Sequence, residues 1–269
     1  HNRGMSLPRA ILFAAALIVA AGPAASQAPA SMNEQVVRVK IGEGLSSAEL
    51  ETTLFRPDGD GPFPVVVINH GKAPGNPVFQ ERARYLVASR EFVRRGYAVV
   101  VPMRQGFSKS SGSYVASGCN ITANGEAQGE MVAGVLDWVR AQAWADKDRL
   151  VVAGQSHGGL TTMALGALNP PGVRALLNFA GGLKVTSPPC TWENSLAQAF
   201  ARYGARSRIP ALWFYGDNDS YFPPAVWKDL EAQYRAGGGP VRMVAFGHFG
   251  NDAHGLFASA RGLPIWVPE

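Results

Sequence analysis

The chain has 269 residues, of which 46% are hydrophobic and 17% are charged, with a formal net charge of +5 at pH 7. This composition excludes wholesale disorder, and the length suits a single α/β domain. The basic residues are scattered, with no run longer than two, so we expect no nucleic-acid partner.

The N-terminal segment has the order of a secretory signal peptide. Arg3 and Arg9 precede the apolar run ILFAAALIVAAG, and small residues follow it. The run is too short to span a bilayer comfortably. We predict a signal peptide over residues 1–30, cleaved after Ala28 or Ala30, with an uncleaved anchor or a buried N-terminal helix as alternatives. The mature protein would then be periplasmic or secreted, with no stable membrane association.

Residues 31–269 are predicted to form one domain, which contains two cysteines, Cys119 and Cys190. Both lie in segments of loop composition. Because an exported protein folds in an oxidising compartment, an even pair favours a disulfide, and two separate buried thiols are the alternative. The spacing does not match a metal site, and we expect neither a metal nor another cofactor.

The order of elements predicts an α/β fold. QVVRVKI and AELETTLF alternate polar and apolar residues, which favours an N-terminal antiparallel hairpin with one solvated face. Aliphatic strands then alternate with helices, which predicts a mostly parallel central sheet with helices on both faces. The main predicted strands are 65–69, 97–102, 149–154 and 174–180, followed by PALWFYG and VRMVAFG. The predicted helices are 79–95, 126–144, 160–168 and 224–234. Residues 183–207 break this rhythm, and we predict a short cap-like insertion over the C-terminal edge of the sheet.

The stretch VVAGQSHGGL places Ser156 among glycines where a predicted strand meets a predicted helix. In such a sharp turn the serine adopts a strained backbone conformation, and its hydroxyl projects above the sheet. The residues two before and two after it, Gly154 and Gly158, approach each other so closely that a small residue is required. We therefore interpret Ser156 as a nucleophile, with a serine that caps a plain turn as the alternative.

A serine nucleophile needs a base, and two histidines, His248 and His254, follow the last predicted strand. We prefer His254, because HGLF can open a final helix with the imidazole facing the sheet edge. The orienting carboxylate is expected between serine and histidine in the chain. The sequence GDND offers Asp217 and Asp219 after the strand PALWFY. We prefer Asp219, with Asp252 as a local alternative.

Acyl transfer also requires N–H donors for the developing oxyanion. One is expected to be the backbone N–H of His157, directly after the nucleophile. The other should come from the loop after VVVIN, where Gly71 permits the bend that presents the N–H of Lys72. A strand cap is the alternative role for His70 and Gly71.

Side chains that could contact the substrate are ambiguous in the sequence. Arg104, at the end of YAVVVPMR, could bind an acidic substrate group or be tied into its own loop by hydrogen bonds. Four aromatic side chains could line an acyl pocket or belong to the core. They are Trp192, Trp213, Tyr221 and Phe222.

The motifs HG after VVVIN, GYAVVVPMRQGFSKSSG, GQSHGG, LWFYGDNDSYF and DAHGLF together resemble the α/β-hydrolase superfamily. More narrowly, they are similar to secreted bacterial serine hydrolases of the dienelactone-hydrolase type, from about Val36 to the C-terminus. The resemblance implies a triad of Ser156, Asp219 and His254. It also implies that the two cysteines form a bridge between a loop and the inserted segment above the site. Dienelactone hydrolases proper use a cysteine nucleophile, so their substrate is not carried over. The closing helix usual in the family would begin at GLPIWVPE, and we expect only its start.

We therefore expect hydrolysis of a small-molecule carboxylic ester through an acyl-enzyme on Ser156, without a cofactor. A peptidase of the prolyl-oligopeptidase type is one alternative, because GxSxGG also occurs in such enzymes. A non-catalytic binding protein on the same scaffold is the other, because a fold does not guarantee a function.

Overall fold

The computed structural model describes residue 1 and residues 32–44, 47–187 and 189–269. The signal peptide predicted over residues 1–30 therefore lies, apart from residue 1, outside the described residues. In the described part of the chain, no helix combines the length and the hydropathy of a membrane span.

Within the described residues, eight strands form one sheet in the order β1-β2-β4-β3-β5-β6-β7-β8. The strands are β1 Gln35–Ile41, β2 Ala48–Phe55, β3 Phe63–Asn69, β4 Ala98–Pro102, β5 Ala145–Gln155, β6 Val173–Phe179, β7 Ala211–Tyr215 and β8 Val241–Ala245. β1 pairs antiparallel with β2 and β2 antiparallel with β4, whereas the remaining pairs are parallel. The predicted hairpin and mostly parallel sheet are confirmed. The solvated face predicted for the hairpin is wrong for β2, where Glu51 and Thr53 are buried because neighbouring loops bond to this strand.

Helices cover both faces of the sheet, as predicted. They are α1 Leu86–Arg94, α2 Ile121–Arg140, α3 His157–Gly166, α4 Trp192–Arg206, α5 Pro224–Ala236 and α6 Leu263–Trp266, with 3-10 turns at Pro77–Phe79, Ala253–Ala258 and Ala260–Gly262. One core cluster packs α2 to α5 against the sheet. The other packs α1, α6 and the turn Ala253–Ala258 against the opposite face.

The central strands are apolar at successive positions because both of their faces are buried. In β3, Val65 and Val67 pack into the core on the α2 side, while Val66 and Ile68 pack into the core on the α1 side. All four side chains are fully buried. Since neighbouring residues of a strand point to opposite faces, a strand covered on both sides reads as a continuous aliphatic run.

The helix predicted over residues 79–95 is shorter in the structure, because α1 begins only at Leu86. The segment before it is tied to the loop after β3 by the side chain of Gln80. This amide accepts from the N–H of Ala73 at 2.9 Å and donates to the carbonyl oxygen of Gly71 at 3.1 Å. Residues 81–85 carry no regular structure, and Tyr85, directly before α1, has a left-handed backbone with φ 45°.

The helix predicted over residues 126–144 begins earlier and ends earlier, at Ile121 and Arg140. Its start is set by Asn120, whose side chain accepts a hydrogen bond from the N–H of Ala123 at 3.0 Å. Such a cap satisfies one of the N–H groups that a first helical turn leaves without a partner.

The segment predicted as a cap-like insertion, residues 183–207, divides into two parts. Its first part lies over the carboxyl edge of the sheet, where Leu183 and Lys184 share a cavity with Ser156. Its second part is α4, the crossover helix between β6 and β7. Phe200 of α4 packs edge-on against Trp213 of β7, with ring centroids 5.1 Å apart. Among the described residues, the prediction therefore fits 183–187 and 189–191 only, because α4 packs its apolar side chains into the core on one face of the sheet.

A disulfide joins Cys119 and Cys190, which confirms the predicted pairing. The two Cα atoms are 5.4 Å apart, and each cysteine lies two residues before the first residue of a helix, Cys119 before α2 and Cys190 before α4. It thereby fastens the 183–191 segment to the body of the domain.

Candidate active site

The turn between β5 and α3 has the strained geometry expected of a nucleophile. β5 ends at Gln155, α3 begins at His157, and Ser156 between them has φ 56° and ψ −124°. A non-glycine residue rarely adopts a positive φ, and such strain persists only where the surroundings enforce it. Here the N–H of Ser156 donates to the carbonyl oxygen of Phe179 in the neighbouring strand at 3.0 Å.

The glycines around Ser156 are required by close approach of the backbone. A Cβ atom on Gly154 would collide with the carbonyl oxygen of Gly158, and one on Gly158 would collide with that of Asn69 at the end of β3. Neither glycine has a positive φ. The prediction that these two positions need small residues is confirmed, and the reason is space.

His254 and Asp219 are held together on two different loops at the carboxyl edge of the sheet. His254 Nδ1 lies 3.1 Å from both carboxylate oxygens of Asp219. The Asp219 side chain is fully buried, and its Oδ1 accepts the N–H groups of Tyr221 at 2.8 Å and Phe222 at 2.9 Å. The carboxylate is therefore fixed in orientation and can hold the imidazole in one tautomer.

The alternative residues occupy other positions. His248 lies with its Nε2 3.4 Å from the Asn218 amide, and Asp217 is exposed in the turn after β7. Asp252 accepts the backbone N–H of His254 at 2.9 Å and contacts Ser220. Partial burial acts to raise the pKa of the Asp252 carboxyl, but its hydrogen bonds prevail and lower it. Asp252 thus supports the loop, whereas Asp219 contacts the ring.

Ser156 and His254 line the same open cavity of about 400 Å³, together with Lys72, Tyr85 and Tyr221. A second cavity of about 290 Å³ adjoins Ser156 on the side of residues 182–186. Among the described residues, the Ser156 hydroxyl makes no hydrogen bond to His254. Hydrogen bonds between catalytic groups are often long in a free enzyme and shorten when substrate binds.

The loop after β3 lies directly against the serine. A Cβ atom on Gly71 would stand 3.3 Å from Ser156 Cβ. The N–H of Gly71 donates to the Tyr85 hydroxyl at 3.2 Å. In the described part of the chain, the backbone N–H groups of Lys72 and His157 donate to no protein acceptor. Lys72 and His157 both line the smaller cavity beside Ser156.

Arg104 is fully buried and tied into the protein by hydrogen bonds, but the partners of its side chain lie in other segments, not in its own loop as the second predicted role required. Its guanidinium donates to the carbonyl oxygen of His70 at 2.7 Å, to His157 Nδ1 at 3.0 Å and to Gln128 Oε1 at 3.1 Å. Burial lowers the pKa of Arg104 to about 10, so the side chain remains a cation at neutral pH.

Two buried histidines flank this arginine and are neutral. Burial, reinforced by the charge of Arg104, lowers the pKa of both His70 and His157 well below the usual range. The hydrogen-bond network assigns their tautomers. Since His157 Nδ1 accepts from Arg104, its Nε2–H donates to Asn124 Oδ1 at 2.7 Å. The His157 ring is therefore occupied by Arg104 and Asn124 and makes no hydrogen bond to Ser156 in the described part of the chain.

The four aromatic residues divide between the cavity and the core. Tyr221 and Phe222 surround the imidazole of His254, with ring centroids 4.5 and 5.7 Å away. Trp213 is fully buried within the sheet core, and Trp192 belongs to the same core at the start of α4. Tyr221 and Phe222 also line the smaller cavity beside Ser156.

Sequence reasoning missed two residues of this region. Tyr85 lies in a segment predicted to be helical, yet its hydroxyl reaches the loop after β3. Gln155 donates through Nε2 to the carbonyl oxygen of His254 at 2.6 Å and so links the two loops. Gln155 lies inside the motif GQSHGG, directly before Ser156, and this position could have marked it, whereas Tyr85 lies in no motif and carries no such signal. In the described residues, no group of three or more His, Cys, Asp or Glu side chains could hold a metal ion.

Comparison with known proteins assigns the chain to a family. Residues 44–205, more than half of the chain, match the X-Pro dipeptidyl-peptidase (S15) family. The chain is also similar to the cocaine esterase of Rhodococcus sp. (strain MB1 Bresler), with 31% identity over 154 residues. This alignment covers 56% of the present chain and 22% of that relative, so the chain spans about a fifth of the relative's length.

Solved structures share the fold at low identity. A protein named as a dienelactone hydrolase, from Klebsiella pneumoniae subsp. pneumoniae MGH 78578, superposes with a TM-score of 0.56 at 19% identity, covering 88% of this chain and 99% of that one. Dipeptidyl peptidase 4 of Porphyromonas gingivalis gives a TM-score of 0.63 at 14% identity, covering 84% of this chain and 34% of that one. The chain has the α/β-hydrolase fold and belongs to the X-Pro dipeptidyl-peptidase (S15) family.

Proposed function

We propose that the protein hydrolyses carboxylic esters through an acyl-enzyme formed on Ser156, with His254 as base and Asp219 as the orienting acid. One observation carries this proposal. The strained serine shares a cavity with a histidine whose Nδ1 is held 3.1 Å from a buried carboxylate. This is the arrangement that activates a serine hydroxyl in acyl transfer.

The first half of the reaction forms the acyl-enzyme. Asp219 accepts the Nδ1–H of His254, which leaves Nε2 free to take the proton of the Ser156 hydroxyl as its oxygen attacks the ester carbonyl carbon. The negative charge moves onto the carbonyl oxygen, where the N–H groups of Lys72 and His157 would stabilise it. The C–O bond to the alcohol then breaks, and His254 donates its proton to the departing oxygen.

The second half regenerates the enzyme. A water molecule gives a proton to His254 and attacks the acyl carbon through the same oxyanion. The carboxylic acid leaves as Ser156 recovers its proton from His254. This sequence consumes one water molecule and needs no redox partner.

The charges around the cavity favour an ester over an X-Pro peptide as substrate. A dipeptidyl peptidase must accept a free N-terminal ammonium group, which calls for a nearby carboxylate. Among the described residues that line the two cavities beside Ser156, Lys72, Arg84 and Lys184 are basic and none is acidic. Arg84 is paired with Glu34, whereas the two lysines form no ion pair in the described part of the chain.

We further propose that the protein is exported and that its signal peptide is cleaved after Ala28 or Ala30. The order of residues near the N-terminus and the Cys119–Cys190 disulfide support this. Expression of the full sequence in a Gram-negative host, followed by periplasmic extraction and N-terminal sequencing, tests the proposal. Recovery of only uncleaved protein in the membrane or cytoplasmic fraction would refute it.

The activity is tested with p-nitrophenyl acetate, butyrate and octanoate and with an Xaa-Pro-p-nitroanilide, using wild type and Ser156→Ala. We expect hydrolysis of at least one ester by wild type, a loss of about 10⁴-fold or more in the variant, and slower cleavage of the anilide. Faster cleavage of the anilide would favour the peptidase. A folded wild type that cleaves neither substrate class would favour a binding protein.

A further inference from the structure

Arg104 is a buried cation that the catalytic scheme above does not use. It is fully buried, and in the described part of the chain no carboxylate lies within ion-pair distance of it. A buried charge without an opposite charge is costly to maintain. This cost suggests that Arg104 has a function in addition to stabilising the fold.

The guanidinium of Arg104 connects the two segments that carry the oxyanion amides. One nitrogen, Nη1, donates to the carbonyl oxygen of His70 at the end of β3, two residues before Lys72. The other, Nη2, donates to the ring of His157 at the start of α3. The backbone N–H of Arg104 also donates to His70 Nε2 at 3.1 Å. Each amide thus belongs to a segment that Arg104 holds.

The same network is anchored on a long helix. Arg104 Nε donates to Gln128 Oε1, and His157 Nε2 donates to Asn124 Oδ1. Both acceptors lie on α2 and are buried. Because α2 is packed into the core against the sheet, it anchors both the loop after β3 and the start of α3 to the same helix.

We propose that Arg104 is the positioning residue of the oxyanion site. It holds the loop after β3 and the start of α3 so that the N–H groups of Lys72 and His157 converge on one point. Its positive charge lies behind both segments in a low-dielectric interior, where it favours negative charge at that point. This inference rests on the proposed ester hydrolysis and adds a residue to it.

The test compares Arg104→Met and Arg104→Lys with Tyr203→Phe as a matched control. Tyr203 is equally buried, and its hydroxyl donates to the carbonyl oxygen of Thr122 at 2.8 Å within the α2–α4 packing. Two inhibitors of the same shape are used with each variant: a trifluoromethyl ketone, which forms a tetrahedral oxyanion with the serine, and the corresponding methyl ketone, which serves as its poorly reactive counterpart.

We expect Arg104→Met to lower kcat by roughly 10²–10³-fold, the loss typical of one oxyanion donor, with KM changed by less than about threefold. Affinity for the trifluoromethyl ketone should fall in parallel, while affinity for the methyl ketone is retained. The kcat of Arg104→Lys should be at least about tenfold higher than that of Arg104→Met, because lysine restores the positive charge. Tyr203→Phe should lower the melting temperature and leave kcat and both affinities unchanged.

Three results would overturn the inference. The first is a folded Arg104→Met with kcat within threefold of wild type. The second is an equal loss of affinity for both ketones, which would indicate a collapsed site. The third is the same selective loss in Tyr203→Phe. If Arg104→Met does not fold, the test rests on Arg104→Lys. The proposal then requires that Arg104→Lys lose affinity for the trifluoromethyl ketone relative to the methyl ketone.

Ser156→Ala separates this inference from the proposed function. If that variant retains ester hydrolysis, the acyl-enzyme proposal fails. If it is inactive while both Arg104 variants behave as wild type, only the role of Arg104 fails.

Discussion

Removal of the Cys119–Cys190 disulfide should destabilise the domain substantially. The bridge closes a loop with a sequence separation of 71 residues. The chain-entropy relation for a loop of that length gives a stabilisation of about 4.4 kcal/mol at 25 °C. For a domain of this size, such a change corresponds to a drop in Tm of roughly 9–18 °C.

The perturbation is the double variant Cys119→Ser with Cys190→Ser. Its free energy of unfolding is measured by urea titration beside wild type, each with and without dithiothreitol. We expect dithiothreitol to lower the stability of wild type toward that of the double variant and to leave the variant unchanged. The variant's response to dithiothreitol is the internal control for effects of the reductant other than reduction of this bridge.

The reasoning would be refuted if the double variant lost less than about 1 kcal/mol. That result would mean that the bridge does not lower the conformational entropy of the unfolded chain as the relation assumes. If the double variant loses more ester hydrolysis than its loss of folded protein explains, the bridge also has a role in the site, which is to hold the segment before α4 in place beside the cavity.

Three further changes have defined expectations. Asp219→Asn should lower kcat by roughly 10⁴-fold with KM nearly unchanged, because the imidazole loses its fixed tautomer; a decrease below tenfold in steady-state ester hydrolysis would contradict this. Burial lowers the pKa of His70 and His157 below 6.5 in the folded state, so the unfolded chain takes up protons first as pH falls through that value. Stability should therefore be complete above about pH 6.5 and fall below it by up to about 1.4 kcal/mol per pH unit for each histidine, measured by urea unfolding at pH 7, 6 and 5; a flat profile would contradict it. Lys184→Met should reduce the preference for a carboxylate-bearing ester over a matched neutral one by about threefold to fivefold, the effect of about 1 kcal/mol of Coulomb energy. The measurement is the ratio of kcat/KM for the charged ester to kcat/KM for the neutral ester at low salt. Lys228→Met on α5 is the control, and an equal change of this ratio in both variants would contradict a role of Lys184.

The central sheet could be predicted from the sequence because the pattern of apolar residues in each strand is a local signal. The run VVVIN is apolar at successive positions, and β3 is buried on both faces as that pattern requires. The strained turn at Ser156 was equally local, since Gly154 and Gly158 lie two residues away on either side. Order along the chain then limited the acid and base to a few residues near the ends of strands.

Other features depended on contacts between distant segments. Helical periodicity in residues 192–206 suits both a cap and a crossover helix, and only packing against Trp213 distinguishes them. The late start of α1 depends on the Gln80 side chain bonding to Gly71 and Ala73. The surroundings of Arg104 come from β3, α2 and α3, so its role could not be read from its neighbours in sequence.

We propose above that Ser156 is a nucleophile activated by His254. The most direct measurement is mass spectrometry of the folded protein after reaction with a fluorophosphonate, which traps an activated serine covalently. We predict a single adduct on the peptide that contains Ser156, a strong slowing of its formation in His254→Ala, and no adduct in Ser156→Ala. A folded wild type that forms no adduct, or one modified at a different serine, would contradict the account.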